Sequence, residues 1–322
     1  MMHRLLIVAD TIGWAFYYRA LALKKYAPDD FSVTLDYYGS YESVKEIPFA
    51  GYDVVFLLAS IEASNVRAAM DLAAPKVPLV VSHNSGLGRE RQSLPETADI
   101  ADYVIANNYG IWITNHRRGY NVCNISNGVD FEVFKATVPI NKRNRSALFY
   151  ANKSKIEEGA PHDVKGYNRI LKPLSELLPD IGIEPDFQIM DGAFMSREDM
   201  VDWYNTASLT VCASRSEGTP NLMLEGMACG CVPVIWRVGN APEIIRHDIN
   251  GVYPKSRRTS DYLDACEYAM EHRERLSKQA LEDIKAWDWK LRAPYFFSVF
   301  RKIAQGKIPE PFTYMACEPE DV

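Results

Sequence analysis

Short apolar runs alternate with amphipathic stretches along most of the chain. The runs at residues 5–9, 54–58, 79–81 and 103–106 are rich in β-branched or aromatic side chains. That is the composition of strands buried on both faces of a parallel sheet. Residues 31–37 alternate polar and apolar and read as a weaker strand, and 121–125 close the first half with another. Helical spacing fills the gaps at 14–26, 62–74 and 109–118. A second series starts at 147–151 and continues with strands at 187–190, 209–213 and 232–235. Its helices are predicted at 167–178, 197–205, 220–228, 242–246 and 260–271. Strand–helix alternation of this kind predicts an α/β fold built on doubly wound parallel sheets. Two series predict two domains, 1–141 and 142–285, with the polar stretch 142–145 as the linker. A last segment, 286–322, opens with Trp287, Trp289, Tyr295, Phe296, Phe297 and Phe300, an aromatic stripe that predicts packing. It ends in an acidic tail, 318–322, expected to fray.

Composition narrows the function classes. With 322 residues, 47% hydrophobic and 24% charged, the chain suits a soluble protein of about two domains. Its net charge of -6 and pI near 5.6 supply no global basic field for nucleic acid or an anionic membrane. The local basic clusters Arg117-Arg118, 142–145 and Arg257-Arg258 read as solvated loops. No run of about 18 apolar residues predicts a membrane span. The N-terminal apolar run is too short for a signal peptide and reads as a first buried strand, so a cytoplasmic protein is expected. The six cysteines, Cys123, Cys212, Cys229, Cys231, Cys266 and Cys317, form no Cys-x-x-Cys and no His-paired metal spacing. They read as buried free thiols of a reducing compartment.

The densest chemistry lies in Glu217-Gly-Thr-Pro-Asn-Leu-Met-Leu-Glu225, where two carboxylates stand eight residues apart. Glu217 follows a short strand. Glu225 lies inside a helix that Thr219 is placed to cap and Pro220 to open. The unpaired first-turn N–H groups of such a helix, here those of Asn221 and Leu222, suit an anion such as a diphosphate. An ionised carboxylate only accepts and takes two O–H donors at once, which suits sugar hydroxyls. Glu225 stands about 7.5 Å along the helix from Pro220, far enough to reach past a phosphate toward a ribose.

This segment resembles the retaining glycosyltransferases of GT-B fold, glycosyltransferase family 4. The likeness continues through Met227-Ala-Cys-Gly230, Val232-Pro-Val-Ile235, Pro242-Glu243 and Asn250-Gly251, and Asn127-Gly-Val-Asp130 with Phe131 and Phe134 resembles the family's passage between domains. The resemblance is strong in the second half and covers only pattern and a few positions in the first. It implies two Rossmann-like domains facing across a cleft, with the last helix crossing back to the first domain. It implies transfer of a hexose from a UDP-, GDP- or ADP-sugar to the hydroxyl of a sugar, glycolipid or other acceptor, with retention, no required cofactor and no metal. Glu217, Gly218, Thr219, Pro220, Asn221 and Leu222 would grip the donor sugar and phosphates, and Glu225 the ribose. Lys165, before Gly166, would neutralise the diphosphate. Lys153 stands where the family has an Arg, with Lys155 as its competitor and a longer gap than usual to Lys165. His83, just after the strand 79–82, resembles the family's histidine near the reacting centre, and Gly13 resembles its glycine turn beside the donor phosphate. Asp10 and Thr11 would face the acceptor. Trp14, Phe16, Tyr17 and Tyr18 read as packing, with stacking on a sugar as the alternative. No Asp-x-Asp occurs, in keeping with a site where lysines and helix N–H groups hold the diphosphate.

Other readings of the same fold are a phage-type transferase acting on DNA bases, a nucleotide-sugar epimerase or hydrolase, and a donor-binding subunit without catalysis. The acidic balance speaks against nucleic acid, and the lack of a basic amphipathic helix against more than peripheral membrane contact.

Overall fold

The computed structural model describes residues 2–40, 43–59, 62–84, 98–153, 156, 163–191 and 195–313. Lys155, Cys317 and the acidic tail fall outside them. The chain divides into two compact units, Met1–Asn127 with Trp289–Met315, and Gly128–Asp288.

The first unit holds a six-stranded, wholly parallel sheet in the order β2-β1-β3-β4-β5-β6. Its strands are β1 His3–Ala9, β2 Phe31–Tyr37, β3 Val54–Leu57, β4 Leu79–His83, β5 Tyr103–Ala106 and β6 Val122–Asn124. The inner strands β1, β3, β4 and β5 are buried almost throughout, which is why their sequences read as continuous apolar runs. β2 lies at the edge and alternates. Helices α1 Ala15–Lys25, α2 Ala63–Ala73 and α3 Tyr109–His116 connect the strands. Asn108 caps α3 by accepting from the Ile111 N–H at 2.9 Å.

The second unit repeats the plan with four parallel strands in the order β10-β9-β7-β8. They are β7 Ser146–Asn152, β8 Glu184–Met190, β9 Leu209–Cys212 and β10 Val232–Ile235. A π-helical turn, Tyr167–Leu171, runs into α4 Lys172–Leu177. Then come α5 Arg197–Thr206, α6 Asn221–Ala228, α7 Ala241–Ile244, α8 Thr259–Glu271 and α9 Arg273–Asp283. The pattern along the chain gave no sign of α9. It is strongly polar and buries only Leu276, Ser277 and Ala280, with Ser277 Oγ donating to the Gly230 carbonyl at 2.6 Å.

The last helix, α10 Trp289–Ala304, belongs to the first unit, as expected. Phe296, Phe297 and Phe300 are almost fully buried in one cluster with Leu5, Ile7 and Phe56, so the aromatic stripe is core. The Phe300 ring lies 5.0 Å from that of Phe56, and Arg301 grips Asp30 by two hydrogen bonds of 2.7 and 2.8 Å.

The stretch 128–141 was expected in the first domain. It packs on the second unit instead: Val129 and Phe134 lie in that core, and the Val129 N–H donates to the Trp287 carbonyl at 2.9 Å. Nor is 142–145 a solvated linker. Arg143 is buried and donates to the carbonyls of Val138 and Cys229 at 2.5 and 2.6 Å, tying the segment to the second unit. A guanidinium saturated by carbonyls is compatible with a core, so polarity in the sequence misled here. Cys123, Cys212, Cys229, Cys231 and Cys266 are free and buried.

In both units the chain lays its second strand on one side of the first and its third strand on the other. The reversals fall between β1 and β3 and between β7 and β9. Ligands of open α/β sheets bind outside the carboxyl ends of the strands at such a reversal.

Phe300→Ala removes a ring from the middle of the α10 cluster and is expected to cost about 3–5 kcal/mol. Hydrogen exchange will show amide protection falling in β1 and β3 while β7 and β9 keep theirs.

Candidate functional site

The loops that follow β7 and β9 meet at the reversal in the second unit. Gly166 adopts a left-handed conformation, φ +69°, and a Cβ there would stand 2.4 Å from the Ala213 carbonyl oxygen. Only glycine permits this approach. The Arg215 N–H closes the pair of loops by donating to the Val164 carbonyl at 2.7 Å. Lys165 and Glu217 thereby meet, with Nζ 2.5 Å from Oε1 and both side chains largely shielded. Burial pulls the Lys165 pKa down, and the charge and hydrogen bond of Glu217 more than offset it, leaving the ammonium above its ordinary value.

Helix α6 starts beside this pair, one residue later than expected. Pro220 occupies the N-cap, makes no side-chain cap, and leaves its carbonyl to accept from Met223 and Leu224. Thr219 does not cap the helix: its hydroxyl oxygen is buried without a partner among the described residues. The N–H groups of Asn221 and Leu222 have no acceptor among the described residues, as at any helix start lacking a side-chain cap. A turn at Gly239 presses on the same loop, since a Cβ on Gly239 would lie 2.6 Å from the Gly218 carbonyl oxygen, which accepts the Asn240 N–H at 3.0 Å.

Glu225 sits one turn into α6, where Tyr204 donates its hydroxyl to Oε2 at 3.0 Å. Burial pushes its pKa up to about 7, against the opposing charge of Arg197 and the Tyr204 hydrogen bond. Near neutral pH this carboxyl therefore stands between its two protonation states. Tyr150, on β7, is close enough to both glutamates that, after burial, their charges raise its own pKa.

Tyr150, Tyr204, Arg197 and Asn240 were not singled out from the sequence. They come from β7, from α5 and from the turn after β10, and no spacing along the chain links them to Glu225 or Gly218. Asn240 is fully buried beside the Gly218 loop, with both side-chain amide atoms unpartnered among the described residues. Lys153, just past β7, is half-exposed and forms an ion pair at 2.8 Å with Asp191, just past β8.

In the first unit His83 is the last residue of β4, not a loop residue, and it is wholly buried. Burial lowers its pKa to about 4, so the imidazole is neutral. Nδ1 lies 3.4 Å from Asn115 Nδ2, and Nε2 has no partner among the described residues. The neighbouring Asn84 accepts from Arg19 at 2.9 Å and from Asn107 at 2.7 Å. Arg19, missed from the sequence, is buried with its guanidinium 5.6 and 5.2 Å from the ring centres of Phe56 and Phe296, and burial lowers its pKa to about 9. Gly13, φ +86°, forms an open turn after β1, with Trp14 exposed and Phe16, Tyr17 and Tyr18 half-buried. Phe16 packs on the core of this unit.

A family model described as "Glycosyl transferases group 1" matches residues 164–272. The D-inositol 3-phosphate glycosyltransferase 1 of Catenulispora acidiphila is 24% identical over 136 residues, covering 41% of this chain and 32% of that protein. The D-inositol 3-phosphate glycosyltransferase of Saccharomonospora viridis is 25% identical over 134 residues, covering 41% of this chain and 31% of that protein. The chain thus spans about a third of the length of the curated relatives it matches. Among solved structures, Anabaena HepE in complex with UDP-glucose superposes with a TM-score of 0.72 at 14% identity, covering 94% of this chain and 98% of that one. Sucrose-phosphate synthase from Thermosynechococcus elongatus superposes with a TM-score of 0.67 at 12% identity, covering 95% and 100%. The fold is α/β of GT-B type. Among the described residues, no helix is long and apolar enough to cross a membrane, and no three His, Cys, Asp or Glu side chains gather as metal ligands.

Two outcomes are expected. Gly166→Ala drives a methyl into the Ala213 carbonyl and is expected to cost about 2–4 kcal/mol in urea denaturation. The second concerns pH. The unfolded chain releases the Glu225 proton near its ordinary value of 4.5, whereas the folded chain holds it to about 7. Stability therefore falls as pH rises between those values, by roughly 1–3 kcal/mol, and Glu225→Gln flattens that part of the profile.

Proposed function

We propose that the protein is a glycosyltransferase that moves a sugar from a nucleotide diphosphate sugar to an acceptor hydroxyl. The observation that carries this reading is the Lys165–Glu217 pair, set at the β7/β9 reversal beside the uncapped start of α6. Supporting it, the family model covers the segment that holds Lys165, Glu217 and Glu225, and Anabaena HepE was solved with UDP-glucose. A UDP-sugar is accordingly the first donor to test, ahead of GDP- and ADP-sugars.

The roles follow from the chemistry. Lys165, helped by Lys153, and the N–H groups of Asn221 and Leu222 face the diphosphate and neutralise the charge that grows as it departs. Gly218, Thr219 and Pro220 shape that loop, and the Thr219 hydroxyl gains a partner when a sugar or phosphate oxygen arrives. Glu217 accepts from hexose hydroxyls while holding Lys165 in place. Glu225 accepts from the ribose. His83, neutral, offers a hydrogen bond near the reacting centre rather than a charge, and Gly13 lets the β1 turn approach the donor. With lysine and helix N–H groups on the diphosphate, the reaction needs no divalent metal. We assign a hexosyltransferase of family 4 type with retention of configuration, the leaving phosphate oxygen taking the acceptor proton. The first domain binds the acceptor and the second the donor.

A thermal-shift panel of UDP, GDP, ADP and their sugars, with and without EDTA, tests the donor site. Stabilisation by one nucleotide series, unchanged by EDTA and lost in Glu225→Ala, is expected. No stabilisation by any nucleotide overturns the assignment, and dependence on a metal overturns the metal-free part. Nucleotide affinity should rise with pH through about 7, because ribose hydroxyls need the Glu225 carboxylate as acceptor. Once a donor and acceptor are found, Lys165→Met should lower kcat/KM by about 100-fold. Product release without an acceptor at the full rate would instead point to a hydrolase.

A further inference from the structure

A cavity lies against the same two loops. It encloses about 330 Å³ and is lined by Asp163, Arg169, Ile170, Arg215 and Arg257. Neither Lys165 nor Glu217 lines it. Three of the five lining residues are arginines and one is an aspartate. That carboxylate is engaged elsewhere: Asp163 Oδ1 accepts the Asn168 N–H at 3.2 Å and Oδ2 the Arg169 N–H at 3.0 Å, so it caps the helical turn.

The arginines differ in how they are held. Arg257 is half-buried, and its Nη2 donates to the Ala213 carbonyl at 2.8 Å. Its basic cluster was read from the sequence as solvated loop, and in the fold this member is a tether. The guanidinium groups of Arg169 and Arg215 make no hydrogen bond or ion pair among the described residues. Burial lowers the Arg257 pKa, opposed by Tyr262 and Asp163 and reinforced by the Arg215 charge. Among the described lining residues three arginines thus stand against the single carboxylate of Asp163.

We propose that this cavity is a binding site for a phosphate dianion, free or carried as a small phosphomonoester, separate from the donor site. Guanidinium forks match phosphate oxygens in pairs, which lysine cannot do. The cavity holds roughly ten times the volume of one water, so a phosphate with a small organic body fits. Ile170 supplies an apolar wall for that body. The ligand would fix Arg215, two residues before Glu217, and so stiffen the loop that carries the Lys165–Glu217 pair. Binding here requires no nucleotide sugar, so it stands or falls separately from the donor assignment.

The test is isothermal titration calorimetry of the full chain with inorganic phosphate, at ionic strength matched with chloride. One saturable site is expected, retained in Lys165→Met and in saturating UDP. Arg169→Gln and Arg215→Gln each weaken it by about tenfold. Both residues are exposed and their side chains make no hydrogen bond or ion pair among the described residues, so both variants should melt where the parent does. Glycerol phosphate and a hexose phosphate, run beside inorganic phosphate, separate the esterified from the free source, and tighter binding of either ester supports the small-molecule form. Absence of saturable binding overturns the proposal. So does binding that Lys165→Met abolishes and Arg215→Gln leaves intact, because the anion then sits at the donor site. Binding only to phosphatidic acid vesicles overturns it as well, in favour of a membrane surface.

Discussion

The contact between Gly166 and the Ala213 carbonyl is the constraint on which the second unit's chemistry depends. Two loops from neighbouring strands can present Lys165 and Glu217 to one another only if their backbones come closer than a Cβ allows. Glycine at that single position lets the β7 loop lie against the β9 loop, and the Arg215 N–H to Val164 carbonyl bond holds it there. The reversal of strand order between β7 and β9 opens space outside their carboxyl ends, and the sealed loops furnish it with charge.

Charge in that space is balanced within the fold. Lys165 would lose basicity on burial, and Glu217 restores it; Glu217 in turn has its counter-ion supplied. Glu225 has a weaker balance, with a tyrosine hydroxyl and the more distant Arg197, and so remains near the point of taking up a proton. This incomplete compensation supports the role proposed for Glu225. The Thr219 hydroxyl and the Asn240 amide are likewise buried without a partner among the described residues.

The first unit solves a different problem. Its sheet needs a cover, and α10, from the far end of the chain, provides three phenylalanines to the cluster around Phe56. Arg19 is enclosed between Phe56 and Phe296, and its hydrogen bonds to Ser82 and Asn84, at 2.7 and 2.9 Å, fix the end of β4 where His83 lies. Packing of the last helix and placement of the histidine are therefore one arrangement. Paired rings around a guanidinium offset part of its burial cost, and the lowered pKa records what remains.

What could be read along the chain follows from short-range physics. Apolar runs of strand length, periodic helices and the glutamates eight residues apart are local patterns, and they gave the α/β class, the strands of both sheets and the candidate residues Glu217 and Glu225, while Lys165 came from the family resemblance. Helix α9 escaped because a mostly polar helix needs only three buried positions. Arg143 and the segment 128–141 were misplaced because burial of a guanidinium, and the side on which a connector packs, depend on carbonyls and apolar surface distant in sequence. Thr219 was misread as a cap because capping depends on the φ and ψ that the packed loop adopts. The sequence by itself determined which residues could carry charge and where strands and helices would form. Only the tertiary structure decided that Lys165 meets Glu217, that Tyr204 meets Glu225 and that Arg169, Arg215 and Arg257 share a cavity. The reason is that each of these groupings joins residues brought together by strand order and loop packing, which no periodicity along the chain encodes.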